Sequence, residues 1–171
     1  MRIAGIEKFD VSNGTDVGVA LFVQGCSHHC FNCFNPETWD FDGGEEFTYE
    51  LYKQLIKALN RPEIKRFSLL GGEPFDSVNG GNESITAMVI DLKIRGILEN
   101  KKIWIYSGYT YEEIINDEAK LELLELCDVL VDGEYKDNLR DLTLAFRGSS
   151  NQRIVDIKKS LEKGEVVLWE N

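Results

Sequence analysis

Three cysteines within eight residues, Cys26, Cys30 and Cys33, follow directly on the apolar run at residues 17–24, and no other feature constrains this chain as tightly. The run reads as a buried strand that delivers the chain into a C-x3-C-x2-C loop. Thiolates are strong ligands for zinc and for iron–sulfur clusters. A structural zinc site needs four ligands and a redox dithiol two. Three thiols on one short loop suit a cubane cluster whose fourth iron stays open to a small molecule. Zinc with His28 or His29 as fourth ligand is the alternative, although such a site is cramped. Cys127 stands far from the other three, beside an apolar strand, and reads as a small core residue.

Beyond the loop, strand and helix patterns alternate. Thr48 caps a helix to about Asn60 with Leu51, Leu55, Ile56 and Leu59 on one face. Residues 67–70 read as a strand and residues 82–99 as a helix. Residues 102–106 form the next strand. Thr110 and Glu113 have capping-box spacing and open a helical stretch toward Leu126, before a strand at 128–132. Repeated in this way, the pattern predicts α/β architecture with a parallel sheet and right-handed crossovers. A complete eight-stranded barrel takes about 250 residues. The 171 residues here suffice only for a partial, open parallel βα barrel, expected as a single domain over residues 1–171. Ligands of such sheets sit beyond the carboxyl ends of the strands. The cysteine loop, Gly71-Gly72-Glu73-Pro74, Ser107-Gly108-Tyr109 and Asp132-Gly133 should therefore meet on one rim.

Net charge is −11 and spread along the chain, which disfavours a nucleic-acid partner. Apolar runs fall well short of the roughly 18 residues of a membrane span, and the amino terminus lacks the apolar core of a secretory signal. A cytoplasmic protein with no membrane partner is the expectation.

Several segments carry a wider resemblance: Leu21-Phe-Val-Gln-Gly-Cys-Ser-His-His-Cys-Phe-Asn-Cys-Phe-Asn-Pro-Glu-Thr-Trp39, Leu70-Gly-Gly-Glu-Pro74, Tyr106-Ser-Gly-Tyr-Thr110, Val131-Asp-Gly-Glu134 and Leu144-Ala-Phe-Arg-Gly-Ser-Ser-Asn-Gln-Arg153. With these, the chain resembles the radical S-adenosylmethionine superfamily. Within it, the chain is similar to the activating proteins of the anaerobic, glycyl-radical ribonucleotide reductase. Two positions depart from that pattern. The Pro-Gly and nearby arginine that usually follow an Asn-Gly are replaced after Asn13-Gly14 by Thr15-Asp16-Val17-Gly18-Val19. Asn32 stands where many members place an aromatic before the third cysteine.

The resemblance implies a 4Fe–4S cluster on Cys26, Cys30 and Cys33, with S-adenosyl-L-methionine bound at the open iron. It assigns Gly71, Gly72, Glu73 and Pro74 to the methionine amino group, and leaves backbone contacts to the nucleoside from Asn32, Cys33 and Phe34. Ser107 and Gly108 either contact the ribose or carboxylate or merely open a helix. His28 and His29 are expected to support the loop by hydrogen bonds, and residues 147–153 to serve partner docking or closure. The implied activity is reductive cleavage of S-adenosylmethionine and transfer of the radical to a glycine of the large reductase subunit. No further catalytic side chain is needed, and an external flavodoxin-like electron donor is implied. An activase of another glycyl-radical enzyme of the formate-lyase type, a radical enzyme acting on a small molecule, and a non-catalytic zinc or iron–sulfur module remain as alternatives.

Overall fold

In a computed structural model, which describes residues 1–76 and 78–170, seven strands form one sheet in the order β3-β1-β2-β4-β5-β6-β7. These are β1 (Arg2–Asp10), β2 (Gly18–Val23), β3 (Glu45–Glu46), β4 (Arg66–Gly71), β5 (Lys102–Tyr106), β6 (Val129–Asp132) and β7 (Arg153–Asp156). The four central strands β2, β4, β5 and β6 are parallel, with Gly18 opposite Arg66, Arg66 opposite Lys102 and Trp104 opposite Val129. By contrast β1, β3 and β7 run antiparallel to their neighbours. The expected all-parallel sheet is therefore corrected to a mixed one. A parallel crossover takes a dozen or more residues, and residues 11–17 between β1 and β2 are too few. The sheet is open, ending on β3 and β7.

Alternation along the central strands divides their side chains between two faces. Val19, Leu21, Phe67, Leu69, Ile103, Ile105 and Leu130 point into the main core. They pack there with Leu55 and Leu59 of α1 (Tyr49–Leu59), Ile85, Val89 and Leu92 of α2 (Gly81–Ile94), and Leu123 and Leu124 of α4 (Glu118–Glu125). The other face carries Arg66, Ser68, Trp104, Val129 and Val131, with Phe146 and Trp169 edge-on to the Trp104 ring. Loop residues help to cover this second face, and a cleft lies there.

Local signals explain most helix ends. Thr48 accepts the Leu51 N–H and starts α1 where expected. The second helix stops at Ile94 instead of Glu99, because Gly96 turns the chain left-handed at φ 72°. The stretch from Thr110 toward Leu126 is two helices, α3 (Tyr111–Ile115) and α4, since the Asp117 side chain accepts the Lys120 N–H and caps afresh. The reciprocal Thr110–Glu113 capping box is present. Cys127 is buried, as expected of a core residue. A last helix, α5 (Ile157–Lys163), follows β7. Among the described residues no helix is long and apolar enough to cross a membrane.

Candidate functional site

Parallel alignment of β2, β4, β5 and β6 brings their following loops to one rim, as expected, and backbone bonds join them there. Gly72 N–H donates to Val23 O at 2.9 Å and Glu73 N–H to Gly25 O at 2.7 Å, so the loop after β4 is tied to the cysteine loop. Ser107 N–H donates to Val131 O at 2.9 Å and Gly133 N–H to Tyr109 O at 3.2 Å, which joins the loops after β5 and β6.

Within the cysteine loop two non-glycine residues, His29 and Asn32, are left-handed at φ 51° and 55°. That conformation, uncommon outside glycine, wraps the loop tightly, and Cys33 N–H closes a turn onto Cys30 O at 3.1 Å. Cys26, Cys30 and Cys33 are free and half-exposed. Asn35 N–H donates to Cys33 Sγ at 3.4 Å, and backbone amides of His28 and His29 near Cys26 and of Tyr135 near Cys30 favour those thiolates. Burial, with Glu73 and Asp76 nearby, nevertheless pushes the Cys26 thiol up to about 12. A bound cationic centre reverses that balance, because coordination deprotonates a thiol outright. Among the described residues no three His, Cys, Asp or Glu side chains converge to share one ion. A cubane asks for something different, since each thiolate takes its own iron. The donor set therefore fits an iron–sulfur cluster.

Behind the loop lies a buried carboxylate. Glu73 accepts the Ser107 hydroxyl at 2.9 Å, Gly108 N–H at 2.8 Å and Phe75 N–H at 3.0 Å. His28 sits between it and the β6 loop, with Nε2 3.1 Å from Glu73 Oε2 and Nδ1 3.2 Å from Glu134 Oε1. Burial opposes the imidazolium, but the two carboxylates outweigh it and raise His28 to about 9. Asp76 accepts Ser27 N–H at 2.8 Å and the Tyr109 hydroxyl at 2.9 Å. His29 stacks on Trp39 at 4.8 Å.

These contacts locate each residue singled out from the sequence. Gly71, at φ +105°, and Gly72 are pressed against Phe22 and Gly25, where a Cβ would collide with the backbone. Their lack of side chains serves the approach of loop to loop. Pro74 is buried, and the Glu73 side chain turns inward, leaving backbone as what this segment can offer a ligand. Ser107 and Gly108 use their hydroxyl and amide donors on Glu73. Asn32 is exposed and donates to Asp137 at 3.1 Å. Phe34 packs on Tyr135 at 5.0 Å, with the Arg140 guanidinium over its ring. Sequence reasoning singled out Glu73 only as part of a ligand-facing segment, not as a buried carboxylate, and did not single out Asp76 or Glu134.

On the second face of the sheet, a cleft of about 450 Å³ opens beside the loop, lined by Ser12, Asn13, Phe22, Phe34, Tyr106 and Arg147 among others. The segment at 147–153 forms part of its wall. Gln152 Oε1 accepts Gly148 N–H at 2.9 Å and Ser149 N–H at 3.2 Å, while its amide donates to Gly133 O at 3.0 Å. Arg147 donates to Gln152 O at 2.7 Å and Asn151 to Glu134 O at 2.9 Å.

A family model described as a 4Fe-4S single cluster domain matches residues 12–155. Three similar proteins are each named anaerobic ribonucleoside-triphosphate reductase-activating protein. The Escherichia coli K12 protein is 37% identical over 145 residues, covering 84% of this chain and 90% of that protein. The Salmonella typhimurium LT2 protein is 38% identical over 154 residues, covering 89% and 96%. The protein of enterobacteria phage T4 is 39% identical over 154 residues, covering 90% and 93%.

Proposed function

Since the chain belongs to the family of anaerobic ribonucleoside-triphosphate reductase-activating proteins, with a 4Fe-4S single cluster domain, we propose that it activates such a reductase by radical S-adenosylmethionine chemistry. In this reading residues 1–171 are one radical S-adenosylmethionine domain, an open relative of the βα barrel. Its partners are the large glycyl-radical subunit and an external, flavodoxin-like electron donor. The observation that carries the reading is the trio of free, half-exposed thiols on the loop after β2.

When bound and reduced by one electron from the external donor, the cluster would supply reductive cleavage of S-adenosylmethionine and, through it, abstraction of a hydrogen atom from a glycine Cα of the reductase. The chain's own residues bind and orient. Cys26, Cys30 and Cys33 would hold the cluster. Gly71, Gly72 and the backbone of Glu73 and Pro74 face the amino acid moiety, and backbone of Asn32, Cys33 and Phe34 the nucleoside. Glu73 fixes Ser107 and Gly108, so the β5 loop keeps its distance from the cysteines. The open side of the sheet admits a polypeptide segment to the cleft.

Anaerobic reconstitution with iron and sulfide tests this. Reduced protein given S-adenosylmethionine is expected to release 5′-deoxyadenosine and, mixed with the large subunit, to produce a glycyl-radical doublet in electron paramagnetic resonance. Tight zinc with no 5′-deoxyadenosine would leave a metal-binding module instead.

A further inference from the structure

Arg66 opens β4, yet only 1% of it is exposed and every arm of its guanidinium is engaged. Nε donates to Thr15 O at 2.9 Å, and Nη1 to Asn13 O at 2.5 Å and to Ser68 Oγ. Nη2 donates to Asp10 O at 3.0 Å and to Asp10 Oδ2 at 2.7 Å. All these acceptors except Ser68 belong to Asp10, the last residue of β1, or to the connection that follows it. Asp10 in turn accepts Ser12 N–H at 3.1 Å, Asn13 N–H at 3.2 Å and the Asn13 side-chain amide at 2.9 Å. One buried ion pair thus shapes the turn at Ser12 and Asn13, and these two residues line the cleft. A charge buried this deeply persists only when fully paired, which makes it a fixed point for what it binds.

The neighbouring glycines are cut to fit it. Gly18 is the register partner of Arg66 across β2 and β4. A Cβ at Gly18 would lie 2.8 Å from Arg66 Cζ and 3.0 Å from Nη2. A Cβ at Gly14 would lie 2.6 Å from Arg66 Cδ and 2.8 Å from the Trp104 ring. Glycine at both positions therefore leaves the room that the guanidinium fills.

We propose that Arg66 is a positioning residue: its buried guanidinium, delivered from β4, holds residues 11–17 in place and with them the Ser12–Asn13 side of the ligand cleft. The ligand part of this inference rests on the S-adenosylmethionine reading above; the placement of the loop does not.

Full-length, reconstituted Arg66→Ala and the conservative variant Arg66→Lys test it against the unaltered protein. In Arg66→Ala, amide hydrogen exchange across residues 11–17 is expected to rise about tenfold or more. Its KM for S-adenosylmethionine should rise roughly tenfold while kcat for 5′-deoxyadenosine release stays within about threefold. Arg66→Lys, which keeps the charge but loses most of these donors, is expected to fall between the two in both readouts. The inference is overturned if residues 11–17 of Arg66→Ala stay as protected as in the unaltered protein, or if Arg66→Ala keeps the original KM. Should Arg66→Ala fail to fold, Arg66→Lys decides: faster exchange at residues 11–17 with a raised KM supports the inference, and unchanged values overturn it. If the unaltered protein releases no 5′-deoxyadenosine, the functional reading fails, and exchange at residues 11–17 still decides the placement.

Discussion

His28 Nε2 lies 3.1 Å from Glu73 Oε2, so a side chain between two of the cysteines reaches back to a carboxylate buried behind the rim. Glu73 also holds the loop after β5 through Ser107 and Gly108, and His28 touches Glu134 after β6. Four strand-end loops therefore share one small polar hub. A loop that binds a ligand among them is positioned by its neighbours as much as by its own sequence.

Removing the carboxylate should loosen all of them. In Glu73→Ala the Ser107 hydroxyl and the amides of Phe75 and Gly108 lose their acceptor inside the protein. Hydrogen bonds to a charged group contribute about 1.5–3 kcal/mol each, and they share one acceptor, so the net loss is expected near 3 kcal/mol. For a chain of this size that lowers Tm by roughly 6–12 °C. Glu73→Gln retains one acceptor oxygen and should lose about half as much. Thermal melts of apo protein check this, and an unchanged Tm in Glu73→Ala would refute the hub.

Replacing Cys26, Cys30 or Cys33 singly with Ala is expected to abolish retention of a full 4Fe–4S cluster, since two thiolates cannot hold three irons. Cys127→Ala should keep the iron and sulfide content of the unaltered protein. Its thiol is enclosed in the core and donates to Leu123 O at 3.4 Å. The small void left behind costs about 1 kcal/mol. Iron and sulfide assays after anaerobic reconstitution separate the two groups, and cluster loss in Cys127→Ala would reassign that residue.

Sequence legibility followed burial. Residues 17–24 were readable as a strand because β2 is covered on both faces, and the helix starts were readable because Thr48 and Thr110 carry the capping oxygens. The outer strands were not. In β1 only Ile3 and Asp10 are buried, so Arg2–Asp10 lacks an apolar signature, and without β1, β3 and β7 the sheet reads as wholly parallel. Side-chain direction was the other blind spot. A Gly-Gly-Glu-Pro turn suggests backbone contacts to a ligand, and nothing local says that Glu73 points inward. Arg66, at the start of a strand, reads as a solvent-facing charge until the loop from Asp10 to Asp16 is folded over it.

Acid should weaken the tie between α3 and β7. Arg153 donates to Glu112 at 2.7 Å and to the buried Asp132, and the guanidinium holds the Glu112 carboxyl below its usual range. A carboxyl whose folded pKa is depressed contributes stability above its unfolded pKa, near 4.3–4.5, and loses it as pH falls through the folded value. Glu112 is more than half exposed, so screening keeps its contribution under about 1 kcal/mol. The stability difference between the unaltered protein and Glu112→Gln is therefore expected to be constant from pH 7 to about 5.5 and to shrink steadily as pH falls below about 4.5. Urea melts across that range check the sign, and a difference that grows on acidification would contradict it.

Gln152 separates cleft architecture from cluster chemistry. Its carboxamide accepts two amides of its own turn and donates to Gly133 O, fastening residues 147–152 to the loop after β6. Gln152→Ala removes all three bonds without touching the cysteine loop, at a cost of about 1–2 kcal/mol. If this wall orients the reductase segment, uncoupled release of 5′-deoxyadenosine should persist within about twofold, while glycyl-radical yield falls roughly tenfold, the equivalent of 1.4 kcal/mol in productive docking. Arg147→Ala, which loses only the contact to Gln152 O, should fall between the two. Parallel assays of 5′-deoxyadenosine and of radical spin decide the matter. Equal loss in both would place the wall's role at the cofactor, and no loss in either would make the segment a structural turn with no part in activation.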